Sequence, residues 1–214
     1  MTRWLEAYAA GTATTASFET IRDAATGGVS DKPAKSTTQP YRDVLSNLWI
    51  LDPVPAWIPS GNLLSRLGQA PKHHLADPAL AVRALGIDAD ALLTGAVPRT
   101  FEPRDGTLLG RLFEALVTLS VRVFAQRAEA RVGHLRLHSG RREVDLIVER
   151  ADRRVLALEV KLGSTVGDDD VAHLLWLRDQ IGDRLIDSGV ITTGRYAYRR
   201  KDGIAVIPAA LLGP

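Results

Sequence analysis

The sequence contains no cysteine and no long uninterrupted run of hydrophobic residues. Without cysteine, disulfides and thiolate-bound metals are excluded, and the composition is compatible with a reducing cytoplasm. A membrane-spanning helix needs about 20 consecutive apolar residues, so none is predicted and no membrane contact is expected. The N-terminus also lacks the sustained apolar segment of a signal peptide, and the expected location is therefore the cytoplasm.

An excess of charge of one sign is also lacking, because 27 basic residues stand against 25 acidic ones for a net charge of +2. The whole-chain balance therefore does not identify a partner. Between Arg122 and Arg154, however, there are nine arginines and only five acidic residues. Such a concentration favours contact with phosphates, although an ordinary solvated surface explains it equally well.

Residues 1–57 are predicted to form a helical unit. Apolar spacing and a candidate N-cap at Ser17 predict helices over 4–10, 18–25 and 36–48. An extended apolar stretch, 49–57, follows them. Three short helices followed by such a stretch are typical of a winged-helix-like unit. The four tryptophans are expected to pack inside the protein rather than to stack on bases.

Residues 58–106 are interpreted as a connecting segment. Residues 72–75 are predicted to form a short strand, with His73 and His74 pointing in opposite directions. Asp77 and Pro78 together signal the start of a helix that runs to about residue 85, because an acidic N-cap followed by proline suits a helix N-terminus.

Residues 107–214 are predicted to form an α/β domain with a mixed sheet flanked by helices. A long amphipathic helix covers 109–124, and strands follow over 132–138, 143–149 and 155–161. A helix over 168–181 and two further strands, 189–193 and 204–207, complete the order. Three strands in hairpin order, followed by a crossing helix, predict a sheet with both antiparallel and parallel pairs.

Two of these strands carry acidic residues and a lysine in a pattern that indicates a catalytic site. Since successive side chains of a strand point to opposite faces, Glu143 and Asp145 share one face, and so do Glu159 and Lys161. Pairing about the turn at 151–153 sets Asp145 level with residue 158 or 159. The two carboxylates can then converge, with Glu114 on the preceding helix as a further ligand.

A divalent cation compensates for two carboxylates placed together near a sheet face. Mg²⁺ takes one or two protein carboxylates and keeps several waters, and Mn²⁺ is an alternative occupant. A cation in this position would acidify a water and offset charge on a phosphodiester, with Lys161 orienting that water or stabilising the transition state. The candidate catalytic residues are Glu114, Asp145, Glu159 and Lys161, and the first three are the candidate metal ligands.

The pattern of Glu114, then Glu143-Val-Asp145, then Glu159-Val-Lys161 resembles the PD-(D/E)XK nuclease superfamily. More narrowly, the chain resembles the domain of unknown function 4143 family, which usually forms the C-terminal half of AAA-type ATPases. The segments that carry this resemblance are Tyr41–Pro55, Lys72–Leu80, Leu109–Val117, Ser139–Glu149 and Ala157–Lys161. The resemblance implies a winged-helix segment followed by a restriction-endonuclease-like domain.

The sequence departs from that family in one respect: no G-x-x-x-x-G-K-[ST] segment is present, so a phosphate-binding P-loop is excluded. The expected function is that of a divalent-metal-dependent nuclease acting on DNA. The alternative is a non-catalytic DNA-binding or protein-interaction module with a lapsed site, whose partner would be a AAA-type ATPase.

Residues around the turn before the Asp145 strand are candidates for nucleic-acid contact. They are Arg136, His138, Arg141 and Arg142. The three aspartates at 168–170 resemble a metal cluster, but the positive N-terminal end of the predicted helix is the favoured explanation.

Overall fold

The computed structural model describes residues 1–26, 35–59, 69–94, 107–137 and 140–213. The chain divides into two compact units whose segments alternate along the sequence. The N-terminal unit comprises Met1–Val54 and Ala70–Leu116, and the C-terminal unit comprises Pro55–Gln69 and Val117–Pro214. No helix in the described ranges is both long and apolar enough to cross a lipid bilayer.

Helices dominate the N-terminal unit. They are α1 (Thr2–Ala10), α2 (Phe18–Ala25), α3 (Lys35–Asn47), α4 (Pro78–Ala84) and α5 (Ala89–Thr94), and α6 (Leu108–Arg127) begins here. Two predicted caps are confirmed, because Ser17 accepts from the Thr20 amide and Asp77 accepts from the Ala79 amide. Each cap satisfies a helix N–H that has no partner within the helix.

The core of the N-terminal unit collects the apolar stripes of its helices. The buried members include Trp4, Tyr8, Ile21, Leu45 and Leu112. The segment predicted as a strand makes isolated bridges instead of a continuous ladder: His73 pairs with Thr14, Leu75 with Leu51 and Lys72 with Val54.

The C-terminal unit contains a six-stranded mixed sheet. Its strands are β1 (Arg131–Leu137), β2 (Arg142–Glu149), β3 (Val155–Lys161), β4 (Leu185–Thr192), β5 (Tyr198–Arg199) and β6 (Ala205–Pro208). The order across the sheet is β1-β2-β3-β4-β6-β5. The β1–β2, β2–β3 and β5–β6 pairs are antiparallel, whereas the β3–β4 and β4–β6 pairs are parallel. The predicted α/β class with a mixed sheet is confirmed.

Helix α7 (Ala172–Ile181) covers one face of this sheet. Its buried residues Leu174 and Leu177 join a core cluster with Val144, Ile147 and Ala157 of the strands. A 3₁₀ turn, Asp169–Val171, precedes the helix, and two more such turns occupy Gly182–Arg184 and Ala209–Leu211. The region predicted as one helix from 168 to 181 is therefore a 3₁₀ turn followed by an α-helix.

Several local predictions differ from the structure. Helix α5 and strand β5 are not predicted, because both are short and carry no clear apolar period. Trp49 was expected to be packed, yet it is 82% exposed, while Trp57 is buried. Residues 60–68 and 95–106, both within the predicted connecting segment, lie outside the described residues.

Candidate functional site

The carboxyl end of β3 carries two of the predicted residues. Ala157 faces the core under α7, so Glu159 and Lys161, two and four positions later, lie on the same face of the strand. Glu159 is only 5% exposed. A carboxylate this buried is costly unless charge or hydrogen bonds balance it, so its surroundings must compensate for it.

Asp145 reaches β3 directly. The β2–β3 pairing reaches Leu146 opposite Leu158, so Asp145 and Glu159 are the next residues on the two strands. At this point the Val160 amide donates a hydrogen bond of 2.9 Å to Asp145 Oδ2. The side chain of Asp145 therefore takes the place of a backbone acceptor and is fixed beside the Glu159–Val160 peptide.

An irregularity in β2 explains this orientation. Gly133 pairs with Ile147 and Leu135 pairs with Val144, so β2 carries one residue more than β1 over this interval. Val144 and Ile147 consequently enter the same core cluster although they are three residues apart. The strict alternation of side chains expected along this strand does not hold here, because an extra residue interrupts the pleat.

Lys161 lies at the last position of β3 and is partly exposed. Its ammonium nitrogen is 3.8 Å from Asp170 Oδ1, a long ion pair on a partly exposed surface. Asp170 also accepts from the Gly167 amide through Oδ2. Asp170 thus lies in the 3₁₀ turn that leads into the N-terminus of α7, as predicted, and it also lies beside the predicted lysine.

Glu114 belongs to the N-terminal unit, where it has a partner of its own. Its Oε1 lies 2.8 Å from Nζ of Lys72, whose side chain is 2% exposed. A buried lysine needs a carboxylate, so this ion pair gives Glu114 a structural role within its unit. The sequence offered no signal for it, since the two residues are 42 positions apart.

His173, on the first turn of α7, is a neighbour that the sequence did not indicate. The Glu143 amide donates to its Nδ1 at 3.4 Å, which requires that nitrogen to be unprotonated. The side chain of Glu143 lies 3.7 Å from the Arg136 guanidinium.

The predicted nucleic-acid contacts are dispersed over several environments. Arg136 is engaged with Glu143, and the Arg142 guanidinium lies 5.3 Å from the ring centroid of Trp176. Arg141 is exposed at the turn, and His138 lies outside the described residues. Among the described residues of this set, only Arg141 belongs to the exposed class.

The carboxylates of this site can supply only part of the coordination shell of a hard cation such as Mg²⁺. Within the described ranges, no group of three or more histidine, aspartate or glutamate side chains is arranged to hold a metal. Mg²⁺ needs only one or two carboxylates when water completes its shell. Asp145 and Glu159, adjacent in level on neighbouring strands, supply two oxygen donors and therefore fit that smaller requirement.

Comparisons with known proteins give two matches. Residues 109–212 match the family model described as Domain of unknown function (DUF4143), and residues 1–91 match Domain of unknown function (DUF8612). The first match supports the resemblance to the domain of unknown function 4143 family over residues 109–212. No curated protein and no solved structure matches the chain.

Proposed function

We propose that this chain, whose residues 109–212 carry a domain of unknown function, is a divalent-metal-dependent phosphodiesterase that cleaves DNA. The observation that carries the proposal is the hydrogen bond from the Val160 amide to Asp145 Oδ2. It fixes one carboxylate beside Glu159, with Lys161 two residues further along the same face of β3.

The order of elements supports a PD-(D/E)XK core. Helix α6 is followed by the antiparallel strands β1, β2 and β3, and α7 then leads to β4, which is parallel to β3. That order is the one expected of a restriction-endonuclease-like domain. The three helices before Trp49 are proposed to form a winged-helix-like unit that docks on duplex DNA.

Asp145 and Glu159 are the residues that would hold Mg²⁺ or Mn²⁺. Such a cation, when bound, acidifies water and offsets negative charge on a phosphodiester. Asp145 is held in position by the Val160 amide, and the low exposure of Glu159 excludes bulk water from its side of the site.

Lys161 would act on the phosphate or on the attacking water. Its long contact with Asp170 leaves the ammonium group able to exchange that partner for a phosphate oxygen. Asp170 would then hold Lys161 in the orientation needed between turnovers. Glu114 stays a prediction as a further ligand, alongside its role in the Lys72 ion pair.

A cleavage assay tests the proposal. Purified protein is incubated with plasmid or single-stranded oligonucleotide plus Mg²⁺ or Mn²⁺, and wild type is compared with Asp145→Asn and Lys161→Met. Asparagine keeps an oxygen that accepts from the Val160 amide, so the change removes charge without removing the hydrogen bond. Each variant is expected to lose at least about 100-fold in rate, as loss of one transition-state contact does.

Two surface residues provide controls. Asp183→Asn and Arg83→Met each remove one charge at an exposed position, in the 3₁₀ turn before β4 and in the last turn of α4. Both are expected to cleave like wild type. Equal residual cleavage by wild type and by both site variants would assign the activity to a contaminant.

A second candidate function is a DNA-binding or ATPase-binding module without turnover. It is favoured by the existing ion pairs, since Glu114 is bound to Lys72 and Lys161 contacts Asp170. This reading predicts salt-dependent DNA binding in the absence of any cleavage by wild type, or copurification with a AAA-type ATPase.

A further inference from the structure

Residues 193–201, which follow β4, combine exposed aromatic rings with positive charge. Their sequence is Thr-Gly-Arg-Tyr-Ala-Tyr-Arg-Arg-Lys, with four basic residues and no acidic one. Tyr196 is 81% exposed and Tyr198 is 48% exposed. Alternation of tyrosine and basic residues on a surface is the composition expected where single-stranded nucleic acid binds.

Two of the four basic residues hold this segment in place. Arg199 forms two hydrogen bonds of 2.8 Å to the carboxylate oxygens of Asp187. Hydrogen bonding to Arg199 lowers the pKa of the Asp187 carboxyl below its ordinary value. Arg200 contacts Asp168 at 2.6 Å and Asp202 at 3.0 Å. Tyr198 itself pairs with Val206 in the β5–β6 ladder. These ion pairs and the β5–β6 pairing therefore hold the tyrosine-bearing segment in place.

The other two basic residues keep their charge exposed. Arg195 and Lys201 are both exposed, and within the described part of the chain neither forms an ion pair. An exposed cation with no acidic partner remains available to a phosphate group. Arg199 and Arg200 therefore fix the segment, whereas Arg195 and Lys201 lie on either side of the two tyrosines in the sequence.

The same segment is tied to the strand end that carries Lys161. Thr193 Oγ1 donates 2.6 Å to Leu162 O, and the Thr193 amide donates 3.3 Å to Gly163 O. A side chain at position 194 would meet Ser164 O at 3.1 Å, so the two segments lie in close contact. Lys161 is also directly paired with Thr192 across β3 and β4.

We infer that residues 193–201, here called the tyrosine segment, bind a single-stranded portion of DNA. Tyr196 and Tyr198 stack on bases, while Arg195 and Lys201 contact phosphates. A single strand is the fitting form, because the faces of bases are accessible to a tyrosine ring only where the bases are unstacked. The inference deepens the proposed function and rests on it for the identity of DNA as substrate.

Binding is measured in EDTA, by anisotropy of a fluorescein-labelled single-stranded DNA oligonucleotide, so that cleavage plays no part. The double variant Tyr196→Ala with Tyr198→Ala is expected to bind at least about 30-fold more weakly than wild type, because two stacking contacts are lost. Tyr196→Phe with Tyr198→Phe keeps both rings and should bind normally. Leu211→Ala, at another exposed apolar position, is the surface control.

The salt dependence separates stacking from charge. Replacing Arg195 or Lys201 by serine should make the slope of log K against log salt shallower by about 0.7 for each lost phosphate contact. The alanine changes at the tyrosines should leave that slope as it is. Thermal unfolding of each variant checks that the fold is intact.

Three results would overturn the inference: single-strand binding by the double alanine variant within about twofold of wild type, equal loss in the phenylalanine variant, or tighter binding of the matching duplex or RNA strand. Failure of the proposed function is distinguishable, because it shows as absence of cleavage while the tyrosine variants still lose binding. Conversely, cleavage that depends on Asp145 with unaltered binding by the tyrosine variants refutes this inference alone.

Discussion

Individual charged residues in this protein are held by partners far away in sequence. Lys72 is almost completely buried, and its ammonium group meets Glu114 at 2.8 Å inside the N-terminal unit. Burial of a charge costs several kcal/mol before any compensation, on the order of the net stability of a whole domain. The pair therefore matters for stability whether or not Glu114 also has a role in catalysis.

Breaking this pair should destabilise the N-terminal unit. Glu114→Gln is expected to lower the free energy of unfolding by about 2–3 kcal/mol, less than for a fully buried pair because Glu114 is partly exposed. Lys72→Met should cost less, since it leaves a carboxylate with access to water. Urea denaturation of the single and double variants gives the coupling energy between the two side chains.

A metal titration of the same variants separates the two roles of Glu114. If Glu114 also ligates the cation, Mn²⁺ affinity falls in Glu114→Gln but not in Lys72→Met. Equal stability of all four proteins would contradict the structural role.

His73 makes the stability of the N-terminal unit dependent on pH. The residue is 1% exposed, and burial lowers its pKa below the ordinary value, an effect that the hydrogen bond with Ala16 O only partly opposes. Because the unfolded chain binds the proton more readily, stability is complete above the unfolded pKa of about 6.5 and declines as pH falls below it.

The expected slope is at most about 1.4 kcal/mol per pH unit for one histidine, ending at the folded pKa. Urea unfolding at several pH values between 7.5 and 5 measures the slope, and the NMR shifts of the His73 ring report its own titration in the native state. A His73 ring that titrates at or above its ordinary pKa in the folded protein would refute this explanation.

At the scale of single elements, local sequence signals decided most boundaries correctly. Strand β3 is found over the predicted residues 155–161, and the Ser17 and Asp77 caps act as predicted, because alternation and capping depend on neighbours in sequence. The extra residue in β2 was not predictable in this way. The position of this extra residue depends on how β1 and β2 pair. It also affects the candidate site, because the irregularity accompanies the hydrogen bond from the Val160 amide to Asp145.

Strand β1 illustrates a second feature that only packing determines. Its outer edge is covered by the segment around Trp57, since the Trp57 amide donates to His134 O and the His134 amide donates to Pro55 O. A Cβ at Gly133 would lie 3.0 Å from Cβ of Trp57 and 3.1 Å from Pro55 O. Glycine is required here by the close approach of the two backbones.

Gly133→Ala is therefore expected to lower the free energy of unfolding of the C-terminal unit by about 1–3 kcal/mol, as overpacking does. Gly110→Ala is the matched control, because its Cβ would meet only the Thr107 hydroxyl at an ordinary distance near the start of α6. That change should be neutral or stabilising by up to about 1 kcal/mol. The same loss of stability in both variants would show that crowding at position 133 is not the cause.

At the scale of the whole chain, the two units do not correspond to two continuous stretches of sequence. The N-terminal unit is interrupted by Pro55–Gln69, which belongs to the C-terminal unit. Within the C-terminal unit, Trp57 is 4% exposed and packs in the same core cluster as Leu135 and Val144. The sequence predicted a helical region followed by an α/β region. Composition and periodicity could not assign residues 55–69 to the C-terminal unit, because both are properties of neighbouring residues.

The contribution of this insertion can be measured with two tryptophans eight residues apart. Trp57→Ala should destabilise the C-terminal unit by about 3–5 kcal/mol, the usual cost of deleting a buried tryptophan side chain. Trp49→Ala, at a position 82% exposed, should change stability by less than about 0.5 kcal/mol. Because two-state unfolding is not assured for a chain with two compact units, amide hydrogen exchange of β1 and β2 is the appropriate readout for the first variant.

A fragment comprising residues 107–214 extends the same reasoning to the domain boundary. It contains the whole match to DUF4143 but lacks Trp57 and the Arg184 hydrogen bond of 2.7 Å to Pro59 O. Its sheet amides should exchange at least as fast as those of Trp57→Ala, since the fragment loses the tryptophan together with the cover on β1. Protection in the fragment equal to that in the full chain would mean that the sheet is stable without residues 55–59, and that the domain can be studied alone.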